Sequence, residues 1–311
     1  MTTKPQRLVF GQELVKLGEE NDRIVVLDAD VSSSTQTSHF ARAYPDRFFN
    51  FGVAEANMMS AAAGFAASGY IPFVSTFALF VALRAGDQMR AQIAYTGLNV
   101  KLIGGYAGLS DFADGASHQS VEDLAVMRAV PGITVVAPSD ITETKMAVRA
   151  ITDHEGPVFL RLSRAEVTED YGPDHPFELG KGIILRGGSD VTLAATGTRV
   201  KTAMEAAEML AEDGIEARVL DLHTVKPLDG DILEKAAEET GAIVTVEEHN
   251  VMGGFGGAVC EELCGRCPVP VLRVGIPDCF GESGPYEEIL RRAGLHPEAV
   301  ADAARRAISM K

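Results

Sequence analysis

The sequence predicts an α/β protein of two units, each a mostly parallel sheet with helices on both faces, a three-layer α/β/α arrangement. Three observations predict it. The chain has 311 residues, more than one ordinary core accommodates. Short apolar runs alternate with helical periodicity along its whole length. One acidic, aperiodic stretch, Glu166 to Glu178, carries Pro173 and Pro176 and interrupts that alternation. The expected division is a first domain over 1–170, a linker over 171–186 and a second domain over 187–311.

The elements follow in order. Gln6 to Glu20 reads as a helix and Arg23 to Asp28 as a buried strand. Ser38 to Tyr44 is a short helix, Phe48 to Phe51 a strand and Glu55 to Ser68 a helix. Ile71 to Ser75 is a strand, Leu79 to Thr96 a long helix and Val100 to Gly104 a strand. Ser120 to Arg128 is helical, and Thr134 to Ala137 is a strand that stops at Pro138. Ser139 reads as the N-cap of a helix over Asp140 to Thr152, and Val158 to Leu162 closes the series. In the second unit, strands are expected at Asp190 to Ala195, Glu216 to Asp221, Ala242 to Glu247 and Val271 to Val274. Helices are expected at Thr198 to Asp213, Asp229 to Thr240, Gly256 to Leu263, Tyr286 to Arg292 and Pro297 to Ile308.

Composition excludes several classes. A hydrophobic fraction of 46% with 23% charged residues is globular. A net charge of -16 argues against a nucleic-acid binder or a protein held on anionic lipid. Four cysteines make no disulfide framework. Ala56 to Leu83 is uncharged and long enough to span a bilayer, but the segment Gly69 to Pro72 would break such a helix. With no apolar leader at Met1 to Phe10, a cytoplasmic protein is expected.

Three segments can carry chemistry. Phe51-Gly52-Val53-Ala54-Glu55 sets an acid at the start of an apolar helix, with no charge in the next 28 residues. Glu55 is either a first-turn acid satisfying the helix dipole or a buried, proton-exchanging carboxyl with a raised pKa. Phe77 and Phe80 follow a strand and are either core or a wall for a flat heteroaromatic ring. The Gly-rich loop from Gly104 through Asp114-Gly115-Ala116-Ser117-His118-Gln119 is either surface or a site for reading hydroxyl groups at a strand end. Gly253 to Gly257 reads as a tight turn, His249 as a surface or interface residue, and Cys260, Cys264 and Cys267 as buried thiols without a metal.

Together, Gly52-Val53-Ala54-Glu55, Ser75-Thr76-Phe77 with Phe80, Asp114 to Gln119, and Pro138-Ser139-Asp140 resemble the pyrimidine-binding domain of transketolases and related thiamine diphosphate enzymes. The chain from about Gly187 resembles the transketolase C-terminal domain. The Gly-Asp-Gly motif of the family's diphosphate-binding domain is missing, and Leu228-Asp229-Gly230-Asp231 lies instead at a helix start. The chain therefore looks like the C-terminal half of a split transketolase.

The resemblance implies a glycolaldehyde transferase of class EC 2.2.1 that moves a two-carbon ketol unit from a ketose phosphate to an aldose phosphate. Glu55 would serve the cofactor's aminopyrimidine, with Phe77 and Phe80 stacking on it. His118 would contact the substrate near its carbonyl, Asp114 a hydroxyl, and Arg164, Arg7 and Ser34 the terminal phosphate. The partner would be an N-terminal subunit carrying the diphosphate-binding domain and the Mg2+ ligands, in an α2β2 assembly; no metal ligand is expected in this chain. Tyr106, Leu98 and Asp111-Phe112-Ala113 depart from the family pattern and bear on which sugar is used. The same resemblance admits a 2-oxoacid dehydrogenase beta subunit, a deoxyxylulose-phosphate synthase, whose chain normally includes the missing domain, or a non-catalytic assembly subunit.

Overall fold

The computed structural model describes residues 2–311. Its strands are β1 (Thr3–Pro5), β2 (Ile24–Asp28), β3 (Phe48–Asn50), β4 (Ile71–Phe77), β5 (Lys101–Gly105), β6 (Thr134–Val136) and β7 (Val158–Arg161). They continue as β8 (Glu166–Thr168), β9 (Ile183–Arg186), β10 (Val191–Ala195), β11 (Ala217–Asp221), β12 (Thr224–Lys226), β13 (Ile243–Asn250) and β14 (Val271–Ile276).

The first sheet runs β12-β6-β7-β5-β4-β2-β3, parallel except for β12. Strands β2, β4 and β5 are buried on both faces, which is why their sequence reads as apolar runs without alternation. Helices Gln6–Glu20 and Ile141–Asp153 cover one face through Phe10, Leu14, Val148 and Ile151. Helix Glu55–Ala67 and the segment after β4 cover the other through Met58, Met59, Val81 and Met89. The chain reverses its direction of sheet growth between β2 and β4, and that crevice is where ligands bind in such sheets.

The second sheet runs β14-β13-β10-β11-β9, parallel except for β9. Helices Arg199–Glu212 and Pro297–Ile308 cover its outer face. Its inner face shares one apolar core with the first unit, where Val135 and Phe159 meet Leu220, Leu222, Val225 and Phe255.

Several expectations change. Strand β12 comes from beyond the linker yet pairs with β6 of the first sheet, so the two units are interlocked. Part of the stretch read as aperiodic, Glu166 to Glu178, is β8, paired antiparallel with β1. The N-cap of helix Ile141–Asp153 is Asp140, whose side chain accepts from the Glu143 N–H at 2.6 Å; Ser139 lies one residue outside it. Leu79 to Thr96 is not a regular helix. The Ala85 N–H bonds Phe80 O and the Tyr95 N–H bonds Arg90 O, two widened π turns of the kind found at functional sites. Among the described residues no helix is long and apolar enough to cross a membrane.

Candidate active site

Every residue proposed from sequence lies where the C-terminal ends of β2, β3, β4, β5 and β7 meet, apart from Arg7, which the first turn of helix Gln6–Glu20 brings to the same place. Glu55 opens its helix after a turn at Gly52, whose φ of +70° suits glycine. It is 3% exposed. The next charge in the sequence, Arg84, is its partner: Nη1 donates to Glu55 Oε1 at 2.9 Å. Glu55 is thus not in a purely apolar pocket. Its Oε2 is buried with no hydrogen-bond partner.

An aromatic platform adjoins it. Phe80 stacks with Phe77 at 5.7 Å between centroids, and Phe77 stacks with Tyr106 at 4.4 Å. His118 meets Phe77 and Phe80 edge-on, at 5.8 and 5.4 Å. Its Nδ1 engages Ser117 Oγ at 3.0 Å, which leaves Nε2 for a ligand. The Arg84 guanidinium lies over Phe80 at 3.9 Å, a cation–π contact.

The platform ends at a basic rim. Arg7 Nη1 donates to the Tyr106 hydroxyl at 2.6 Å and to the Ser34 carbonyl at 2.8 Å. Arg7 and Arg164 each stand 5.1 Å from the Tyr106 ring centroid, and Arg164 lies 4.9 Å from Phe112. Tyr106 is held at φ +60°, a strained conformation for a large side chain. Arg164 Nη1 pairs with buried Asp111 at 2.8 Å and stands 3.9 Å from exposed Asp114. Burial and the neighbouring Asp114 push the Asp111 carboxyl up to about 6, with Arg164 opposing.

Sequence reasoning missed Arg84 at the site, and it marked Asp111 and Phe112 only as departures from the family pattern that bear on the sugar. The one available signal for Arg84 was its being the first charge after Glu55. Leu98, flagged as a departure near the substrate, precedes β5 at the opposite end of the sheet and packs on the core.

Other flagged segments are structural. Asp229 of the Leu228 to Asp231 stretch caps helix Gly230–Thr240. The N–H groups of Phe255 and Gly256 are taken by Glu247, whose carboxyl burial pushes up to about 7, so the glycine turn is filled by the chain itself. His249 is fully buried between the units, its ring 3.3 Å from the Ala125 N–H. The cysteines are free; Cys264 is exposed and Cys260 and Cys267 half-buried, where full burial was expected. Among the described residues no group of three His, Cys, Asp or Glu is arranged to hold a metal.

The chain thus joins two tandem α/β units, the first of which carries an acid at a helix start and an aromatic shelf at its strand ends. Residues 4–169 match the transketolase pyrimidine-binding domain and 180–300 the transketolase C-terminal domain, and the chain belongs to the transketolase family. It is 44% identical over 301 residues to a putative transketolase C-terminal section of Methanocaldococcus jannaschii, covering 96% of this chain and 94% of that one. It is 43% identical over 291 residues to a 6-deoxy-6-sulfo-D-fructose transketolase subunit of Clostridium sp. strain MSTE9, covering 94% and 90%. A solved split-gene transketolase, described as an inactive beta4 tetramer, superposes with a TM-score of 0.91 at 46% identity over 99% of both chains. The chain is a transketolase-type subunit.

Proposed function

We propose that this chain is the pyrimidine-side subunit of a thiamine diphosphate-dependent transketolase that moves a two-carbon ketol unit between sugar phosphates in the cytoplasm. The observation that carries the proposal is the unpartnered, buried Glu55 Oε2 on a carboxyl that Arg84 links to the aromatic shelf of Phe77 and Phe80. A buried polar atom without a partner is costly and calls for a ligand group. An aminopyrimidine offers both a ring nitrogen for that atom and a flat face for the shelf, so these residues fit the cofactor.

When bound, thiamine diphosphate supplies the electron sink for breaking the ketose carbon–carbon bond. This chain does the rest by position and proton handling. Glu55 holds a proton at Oε2 toward the pyrimidine nitrogen while Arg84 fixes Oε1. Phe77 and Phe80 orient the ring. His118, held at Nδ1, presents Nε2 to the hydroxyl and carbonyl of the ketose end. Asp114 reads a substrate hydroxyl, and Arg164, Arg7 and Ser34 take the terminal anion. The relative named for a sulfonated ketose supports an anionic tail, and a phosphate or a sulfonate would suit the two arginines. The Mg2+ ligands are assigned to an N-terminal partner subunit in an α2β2 assembly. The inactive tetramer described for the split-gene relative supports a chain that does not act alone.

The test is to purify the tagged chain with whatever it binds and to assay ketol transfer from xylulose 5-phosphate to ribose 5-phosphate with thiamine diphosphate and Mg2+. Activity only in the presence of a second chain carrying Gly-Asp-Gly is the expected result. A partner without transfer redirects the search to sulfonated ketoses and other ketose phosphates, then to 2-oxoacids. No partner and no cofactor binding overturns the proposal in favour of a non-catalytic role.

A further inference from the structure

The loop from Tyr106 to Ser120, which carries Asp114 and His118, is gripped by the second unit. At its neck, Gly108 and Ser120 exchange backbone hydrogen bonds at 2.9 and 3.1 Å. There Glu248, on β13, takes the Leu109 N–H on Oε1 at 2.9 Å. Its Oε2 accepts the Tyr286 hydroxyl at 2.6 Å and Thr198 Oγ1 at 3.2 Å, with Arg199 Nε at 3.4 Å. Its carbonyl accepts Arg161 Nη2 at 2.9 Å, and Arg161 is locked on Asp123. Gly108 is required twice over: its φ is +64°, and a Cβ there would collide with the Glu248 carboxylate. Further along, Gln119 Nε2 donates to Glu282 O at 3.0 Å and the Gly284 N–H donates to Phe112 O at 3.0 Å.

We infer that Glu248 is a positioning residue for the reaction: from the second domain it fixes the neck of the loop that sets His118 against Phe77 and Phe80 and Asp114 beside Arg164. It acts through the Leu109 N–H, not on the substrate. A buried carboxylate with hydroxyl and guanidinium donors on one oxygen and a loop amide on the other is a rigid strut, and such support decides whether a site is held to a few tenths of an ångström. The inference rests on the reading of His118 and Asp114 as substrate-facing.

The test uses the full chain and measures backbone hydrogen exchange in Glu248→Ala, Glu248→Gln and Tyr286→Phe. Loss of a hydrogen bond to a charged group should speed exchange at Leu109 and across 106–120 by roughly ten- to a hundredfold in Glu248→Ala. Glu248→Gln keeps an oxygen for Leu109 and should retain most of the protection. Tyr286→Phe, the gentler change if Glu248→Ala does not fold, should loosen 106–120 by a smaller factor. Exchange in Val191–Ala195 should not change. In the assembled enzyme, Glu248→Ala should raise KM for the ketose more than it lowers kcat, with Glu248→Gln restoring KM. Unchanged protection of 106–120, equal loosening of the second sheet, or a loosened loop with unaltered KM would each overturn the inference. If the wild-type assembly carries out no ketol transfer, the functional reading falls while the exchange result still reports on the strut.

Discussion

The Arg84 guanidinium donates to Glu55 at 2.9 Å and covers the Phe80 ring at 3.9 Å, so one half-exposed cation touches both the proposed acid and its aromatic shelf. Phe80 and Arg84 stand four residues apart, within the widened turn closed by the Ala85 N–H on Phe80 O. Glu55 is left with one committed oxygen and one available oxygen, a division of labour within a single carboxylate.

Glu55 variants should therefore separate chemistry from folding. Glu55→Gln keeps an oxygen for Arg84, and Glu55→Ala leaves Arg84 half in water, where a lost ion pair costs about 1 kcal/mol or less. Urea unfolding should find both variants close to wild type. Turnover of the assembled enzyme should fall by about two to four powers of ten, the scale for a positioned acid–base group. Wild-type turnover in Glu55→Ala would remove it from the mechanism.

Arg164 sits between a buried carboxylate and the open rim, so its loss should fall on the substrate's charged tail. Arg164→Ala in an Asp111→Asn background avoids stranding the buried Asp111 charge. KM for a phosphorylated ketose should rise about ten- to a hundredfold, the worth of a charge-assisted hydrogen bond. KM for the unphosphorylated ketose should hardly move. An equal rise for both substrates would take Arg164 out of the anion site.

Asp111 gives that rim a pH dependence. Its carboxyl is pushed up to about 6, so as pH falls from 7.5 to 5.5 it takes up a proton and stops neutralising Arg164. The rim becomes more cationic, and a ketose ending in a sulfate ester, whose charge is constant over this range, should bind more tightly. Asp111→Asn should bind it tightly at both pH values. A wild-type KM that does not change with pH would mean that Asp111 stays in one protonation state throughout.

Local pattern made much of this legible. Helices Gln6–Glu20, Tyr286–Arg292 and Pro297–Ile308 begin and end where periodicity puts them, and Glu55 opens its helix as read. What escaped depends on contacts between distant residues. Strand β12 has only three residues, and its partner lies in the other unit. The extra residue in each π turn leaves no mark in hydrophobic spacing. The bonds from Arg84 to Glu55 and from Arg164 to Asp111 span 29 and 53 residues, and only the folded sheet brings each pair together. The site's charge balance was therefore not readable from the motifs alone.

A buried cluster at the junction of the two units should make stability depend on pH. Ser139 Oγ lies 2.9 Å from Glu143 Oε2 and 3.1 Å from Asp221 Oδ2, and its one hydrogen can serve only one of them at a time. Burial pushes the Glu143 carboxyl up to about 8, and burial with repulsion from Glu143 pushes Asp221 well above the usual range. Between about pH 4.5 and 8 the folded chain holds a proton that the unfolded chain has released. That contribution is complete below the unfolded value and is lost as pH rises through the folded one. The facing histidines act in the opposite sense: burial lowers His175 and brings His223 down to about 4, so their contribution is present above the unfolded value of 6.5 and lost as pH falls. Lys101, pushed down to about 7 by burial elsewhere in the chain, also adds stability as pH rises. The whole-chain slope therefore mixes signs, and the informative quantity is the stability of wild type minus that of Glu143→Gln. From pH 5.5 to 7.5 that difference should fall by up to about 1.4 kcal/mol per pH unit, the value for one proton. A difference that stays flat over this range would show that Glu143 is already ionised in the folded chain and that the proton resides on Asp221.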